Sequence, residues 1–291
     1  MTDRPHRNTI FLEDAEVLEQ RAFAGNQHIL RVRAPKAARR AEPGTFAHVR
    51  CDESVPLRRP LSIMRADPAA GTLELLYKPV GRGLAKLAER RAGERVSVLA
   101  PIGRGFDVDP AKRTLLAIGG GVGIPPMIFL AERMRDRAGV RTVVLMGSEV
   151  PFPFDLVRSR LEVDGAPAEA TDAVRLLEEW GVGSRLASNA GFDGCYRGHV
   201  TELARRVLAA MPPAELAATQ VFACGPEPML RAAAALSREL GVPCQLAVEE
   251  YMACGVGGCA GCVVRVRTPA GPAMKRVCVD GPVFDALEVY P

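Results

Sequence analysis

The chain has 291 residues, 48% of them hydrophobic and 25% charged, and a formal net charge of +4. That length allows two domains and a small module, and it exceeds what a disulfide-stapled mini-protein needs. The charge is small and no basic run stands out, so non-specific nucleic-acid binding is not suggested.

Taken from the start, MTDRPHRNTIF has no apolar stretch behind its charges, and no run approaches bilayer length. A cytoplasmic setting with no membrane partner is expected, where thiols stay reduced and eight cysteines point to metal or redox chemistry. Up to about residue 105 the chain reads as short β-rich runs, 28–35, 44–51, 58–66, 71–80 and 94–101, with one short helix near 83–91. Many short strands at this spacing predict an antiparallel barrel or sandwich. The pattern changes at FDVDPAK (106–112). RTLLAIG (113–119) and RTVVLMG (141–147) are continuous apolar strands, and the first is followed by GGVG and a helix with prolines in its first turn. Helix-like stretches at 169–180 and 200–211, a strand at 219–225 and a helix at 226–240 complete an alternation that predicts a doubly wound parallel sheet. The fold class is thus multidomain, β plus α/β, with boundaries expected at 1–107, 108–242 and 243–291.

The last segment carries the strongest chemical signal. Cys254, Cys259, Cys262 and Cys278 follow the spacing C-x4-C-x2-C, fifteen residues, C. That is the arrangement of plant-type two-iron, two-sulfur clusters. Glycines at 255, 257, 258 and 261 suit a loop that needs positive φ and N–H groups aimed at sulfur. A structural zinc site is the rival, but zinc favours paired C-x2-C knuckles and the second half offers one cysteine. Cys51, Cys195 and Cys244 fit no ligand pattern and read as small buried hydrophobes.

A cluster passes single electrons, so a two-electron donor has to be split upstream. Arg59-Pro60-Leu61-Ser62 could offer a guanidinium to a pyrophosphate and a hydroxyl to a ring nitrogen. Leu76-Tyr77-Lys78 and the Gly81-Arg82-Gly83 turn lead into a helix start, a ready anion site. Gly119-Gly120-Gly121-Val122-Gly123-Ile124 follows a buried strand and opens a helix, as a dinucleotide-binding turn does, though proline stands where a third glycine would be. Cys224-Gly225-Pro226 ends another strand at the carboxyl edge, where ligands bind in such sheets.

Together R-P-L-S, G-G-G-V-G-I-P-P and C-G-P-E-P-M make the chain resemble the ferredoxin–NADP reductase superfamily. With E-E-Y-M-A-C-G-V-G-G-C-A-G-C and V-C-V-D-G-P-V-F it resembles, within that group, the electron-transfer subunits of B-type dihydroorotate dehydrogenases. The resemblance implies an NAD(H)-dependent oxidoreductase subunit of pyrimidine biosynthesis. FAD would be cradled by Arg59 to Ser62, Leu76 to Lys78 and Gly83-Leu84. The NAD(H) path would be lined by Gly120 to Ile124 and Cys224 to Pro226, and the 2Fe-2S cluster held by the four cysteines. It also implies a partner, an FMN-containing catalytic subunit, in a heterotetramer of two each. Glu149, just past the second apolar strand, could accept a ribose hydroxyl and would repel a 2′-phosphate, which favours NADH. Leu84 stands where the family has Thr or Ser, the loop Ser188–Phe192 departs from the family's wording, and 165–182 reads as added helix. Two alternatives stay open: a related reductase subunit with another partner, and a flavin-free, zinc-stabilised binding module.

Overall fold

The computed structural model describes residues 9–291, so most of the N-terminal stretch considered for an export signal lies outside the described residues. Six strands, β1 (Phe11–Phe23), β2 (Gln27–Arg33), β3 (Phe46–Arg50), β4 (Arg59–Asp67), β5 (Thr72–Tyr77) and β6 (Arg95–Ile102), close an antiparallel barrel in the order β1-β2-β5-β4-β3-β6. Strand alternation explains it: Ala15, Val17, Leu30, Val32, Val49, Ile63, Leu73, Leu75 and Val98 point inward and are buried, while Arg and Glu alternate outward. β1, which the sequence pattern did not single out, closes the ring by pairing with both β2 and β6. The helix Gly81–Ala88 caps one end and buries Leu87.

The second unit is a six-stranded sheet. β7 (Thr114–Gly120) and β8 (Arg141–Gly147) are apolar on both faces, as strands covered by helices on both sides must be. A small antiparallel pair, β9 (Leu156–Arg158) and β10 (Asp172–Val174), precedes β11 (Gly183–Ala187), β12 (Thr219–Cys224) and β13 (Cys244–Ala247). The order is β11-β8-β7-β12-β13, all parallel, and then β16 (Val283–Asp285) runs antiparallel on β13. Helix Ile124–Met134 covers one face, and Val200–Ala210 and Glu227–Leu240 cover the other. The stretch 165–182 is not an added helix: it supplies β10 and only the short helix Arg175–Glu179. Ala173 and Val174 are buried and Val174 pairs with Leu156, so burial against β9 outweighs the helical pattern of Arg175–Glu179.

Helix Ile124–Met134 is a main link between barrel and sheet. Phe129, from helix Ile124–Met134, packs in the barrel cluster. Arg65 of β4 makes hydrogen bonds of 2.9 and 2.6 Å to the Glu132 carboxylate on that same helix. The C-terminal cysteine segment, with its hairpin of β14 (Val263–Thr268) and β15 (Gly271–Arg276), leaves the sheet at β13 and returns to it at β16. The sheet therefore takes in strands on both sides of that segment.

Candidate functional site

Between the barrel, the sheet edge and the cysteine segment lies a cavity of about 1060 Å3, large enough for a dinucleotide. Arg59, Pro60, Leu61 and Ser62 of β4 line it, with Leu76, Tyr77 and Lys78 at the end of β5 and Leu84 from helix Gly81–Ala88. Arg59 is held by the carbonyls of Leu57 (2.8 Å) and Arg58 (3.1 Å) through one guanidinium nitrogen. The rest of the guanidinium lies over Gly83, where a Cβ would stand 3.1 Å from Arg59 Nε; Gly83 is small because the arginine crosses it. Tyr77 turns its ring toward the barrel core, where it stacks on His28 and bonds Gln20. Its hydroxyl is pushed up in pKa, chiefly by burial.

Val122 and Cys224 bring the sheet's carboxyl edge to the same cavity. The other nucleotide-loop residues, Gly120, Gly121, Gly123, Ile124, Gly225 and Pro226, lie beyond its wall, at the ends of β7 and β12. Here the two loops clasp backbone to backbone. A Cβ on Gly123 would overlap the Cys224 carbonyl and stand 2.5 Å from the Gly225 nitrogen, and one on Gly120 would stand 2.5 Å from Met229 Sδ. Gly121 alone faces open space, with φ +54. Most of these glycines therefore serve loop packing, and Gly121 stays open. Glu149 is exposed near the same edge, accepting from Asn189 Nδ2 at 3.4 Å. Asn189 Nδ2 is 3.2 Å from His199 Nδ1.

Sequence reasoning missed Glu249. It lines the cavity with Glu250, Tyr251, Met252 and Ala253, and burial raises its carboxyl above the ordinary range. The Cys224 thiol beside it is raised by burial first and by the Glu249 charge second. The available signal was a carboxylate in A-V-E-E-Y-M, immediately before the cysteine loop.

The four cysteines form two pairs. Cys262 and Cys278 are buried with their sulfurs 3.3 Å apart, and Cys278 is pushed up to about 12, by burial and then by its neighbour Cys262. Cys254 and Cys259 stand nearer the surface. The Val256 and Cys259 N–H groups donate to Cys254 Sγ at 3.5 and 3.4 Å, and these donors pull its pKa down to about 6. The Gly261 N–H donates to Cys259 Sγ at 3.4 Å. Gly255 and Gly257 hold φ values of +68 and +80, which an L side chain rarely adopts. N–H groups converging on thiolates, with an inner and an outer pair, fit an iron–sulfur cage. Cys51, Cys195 and Cys244 are buried, with thiols raised mainly by burial.

A second residue missed in the sequence is His48 of β3. It is fully buried, and neither ring nitrogen has a partner. Burial, with the Arg58 charge second, pulls its pKa down to about 4, so the ring is neutral.

A barrel joined to a doubly wound sheet, sharing one cavity with a cysteine cage, defines the class of reductase-type electron-transfer proteins. Residues 249–290 match the iron-sulfur cluster binding domain of dihydroorotate dehydrogenase B. A "Dihydroorotate dehydrogenase B (NAD(+)), electron transfer subunit" from Geobacillus thermodenitrificans is 35% identical over 281 residues, 95% of this chain and 98% of that one. Its counterpart in Desulforamulus reducens is 31% identical over 278 residues, 95% and 97% of the two chains. The chain belongs to this family of electron-transfer subunits. Its fold is that of the NADH-dependent reduced ferredoxin-NADP oxidoreductase structure, with a TM-score of 0.76 at 24% identity over 95% of this chain and 90% of that one. Among the described residues no helix is long and apolar enough to cross a membrane.

Proposed function

We propose that this chain relays electrons between NAD(H) and an FMN-bearing dihydroorotate-oxidising subunit, through FAD and a 2Fe-2S cluster. The observation that carries the reading is the shared cavity: β4 and β5, the sheet edge at Cys224 and the cysteine segment from Glu249 to Ala253 with Gly261 all contribute to one wall. FAD, when bound there, supplies the conversion between a hydride pair and single electrons.

The chain's own residues bind, orient and exclude water. Arg59 offers its free guanidinium edge to the pyrophosphate, and Ser62 offers a hydroxyl. Leu61, Leu76, Leu84 and Val122 keep the cavity apolar, and Leu84 replaces a hydroxyl contact by packing. Gly121 lets a nucleotide approach the end of β7, and Glu149 accepts from ribose hydroxyls, which favours NADH over NADPH. Cys254, Cys259, Cys262 and Cys278 hold the cluster. The barrel occupies 1–107, the nucleotide-binding unit 108–242 and the cluster module 243–291, with the module's flanking strands β13 and β16 shared with the sheet, and the assembly is a cytoplasmic heterotetramer of two relay and two catalytic subunits.

The test is an anaerobic NADH titration of the purified chain, followed by flavin absorbance and by electron paramagnetic resonance of the reduced sample. Flavin bleaching with a rhombic two-iron signal is expected. A colourless, zinc-bearing protein would overturn the relay, and bleaching without a cluster signal would overturn the cluster assignment.

A further inference from the structure

His48 lies between strand β4, which lines the flavin cavity, and the cysteine loop at Gly255. In the β3–β4 ladder it pairs with Pro60, the second residue of the R-P-L-S segment. Directly opposed residues of an antiparallel pair project on the same face, so His48 and Pro60 share the outer face of the barrel wall. Phe46, two residues before His48 on that face, lines the flavin cavity. On its other side the imidazole meets the cysteine loop: a Cβ on Gly255 would lie 2.7 Å from His48 Nδ1 and 3.4 Å from Cε1. Gly255 directly follows Cys254. One side chain thus touches the loop that carries the outer thiol pair and stands beside the strand that carries the flavin-binding arginine.

The ring is fully buried and both nitrogens lack partners among the described residues. Buried polar groups are almost always satisfied, and a side chain kept with two orphaned nitrogens has a partner of another kind. A neutral imidazole has one donor and one acceptor nitrogen. No carbonyl or thiolate of the described residues lies within hydrogen-bonding reach of Nδ1, although the ring abuts the loop just after Cys254, so the acceptor left to it is a sulfide of the cluster itself. Nδ1 is then the donor.

We propose that His48 is a positioning residue that donates a hydrogen bond from Nδ1 to the Cys254 side of the cluster cage, tying the cluster to the flavin-binding strand and raising the cluster's reduction potential. Hydrogen bonds to cluster sulfurs stabilise the more negative, reduced state, which is the physical source of that rise. The small Gly255 leaves room for the ring. This inference rests on the cluster assignment above.

The test compares the anaerobically prepared holoprotein with His48→Asn, His48→Gln and His48→Leu variants. Asn places its amide near the position of Nδ1 and Gln near that of Nε2, while Leu has no donor. The readouts are the cluster midpoint in a redox titration followed by electron paramagnetic resonance, the g values of the reduced signal, and the thermal midpoint of each protein. The cluster midpoint is expected to fall in H48L with altered g values, to stay near the wild-type value in H48N, and to fall in H48Q as in H48L. The flavin midpoint stays put. If H48L does not assemble, the contrast between H48N and H48Q decides alone. Unchanged midpoint and g values in H48L, or equal shifts in H48N and H48Q, would overturn the assignment of Nδ1. A wild-type chain with no cluster signal would overturn the cluster reading itself, and this inference with it.

Discussion

Gly123→Ala separates two explanations of a glycine-rich turn. If the glycines exist to admit a pyrophosphate, every one of them should matter for binding and few for stability. The structure divides them instead. Gly123 has an ordinary φ of −86, so alanine meets no torsional objection there. Its Cβ would collide with the Cys224 carbonyl and approach the Gly225 nitrogen to 2.5 Å, both of them backbone that cannot rotate away. Overpacking costs typically 1–3 kcal/mol, and rigid neighbours put this case at about 3 kcal/mol. At about 2–4 °C per kcal/mol, G123A should melt roughly 6–12 °C below the wild type. Gly121→Ala is the control. It meets nothing within 4 Å, and its φ of +54 costs alanine about 1–2 kcal/mol, partly offset by about 0.4–1 kcal/mol from a less floppy unfolded chain. Its melting temperature should fall only by about 2–4 °C, while NADH reduces the flavin more weakly because a methyl group occupies the open approach. Differential scanning calorimetry and stopped-flow reduction read the two effects. A G123A protein that melts with G121A would refute the packing account of the clasp between the β7 and β12 loops.

Other substitutions reach other parts of the relay. Arg59→Ala removes charge-assisted hydrogen bonds worth about 1.5–3 kcal/mol each, so FAD affinity should drop by about ten- to a hundredfold, measured by flavin release into fluorescence. Gly257→Ala forces a left-handed residue and sets a Cβ 2.5 Å from Val279 Cγ2, so iron per chain, assayed colorimetrically, should fall while FAD stays bound. Glu249 has a folded-state pKa raised by burial, so its stability contribution is full below the ordinary glutamate range and is lost as pH rises through the raised value. Glu249→Gln should therefore gain on the wild type in urea midpoint between pH 4 and pH 8; a difference independent of pH would contradict the desolvation of the carboxylate at the cavity wall. Glu132→Ala strips Arg65 of its 2.6 Å partner at the barrel–sheet junction and should cost about 1–3 kcal/mol, seen as a lower urea midpoint.

How much the sequence disclosed depended on whether a residue's neighbours were local. The apolar runs of β7, β8 and β12 read as buried parallel strands because both of their faces are covered, and that pattern needs no distant information. The cysteine spacing was legible for the same reason: a metal cage fixes ligand separation along the chain. β1 was not legible. F-L-E-D-A-E-V-L-E-Q-R-A-F carries five charged residues among thirteen, and only the ring closure with β6 shows that Ala15 and Val17 face a core. The 165–182 stretch misled because R-L-L-E-E has helical spacing, whereas Ala173 and Val174 just before it answer to β9 across the chain. Tyr77 lines the cavity, and what the sequence did not disclose is that its ring packs on His28 and bonds Gln20, about fifty residues earlier. His48 and Glu249 escaped notice because their importance lies wholly in what packs on them: Gly255 in one case and the cavity wall in the other.

The way the cysteine segment joins the sheet has a consequence for how such a protein could be rebuilt. Its entry and exit strands are hydrogen-bonded neighbours, with Ala247 opposite Val283 and the Val248 N–H donating to the Pro282 carbonyl at 2.9 Å. Seen from the rest of the chain, residues 248–282 are an enlarged hairpin turn, grafted where two residues would suffice to reverse direction. Excision and a short connector would leave β13 and β16 in register, so a reductase can gain or shed its one-electron outlet in a single insertion without redrawing the sheet. The same two-point attachment keeps the outlet from swinging on a tether: whatever receives the electrons has to come to it.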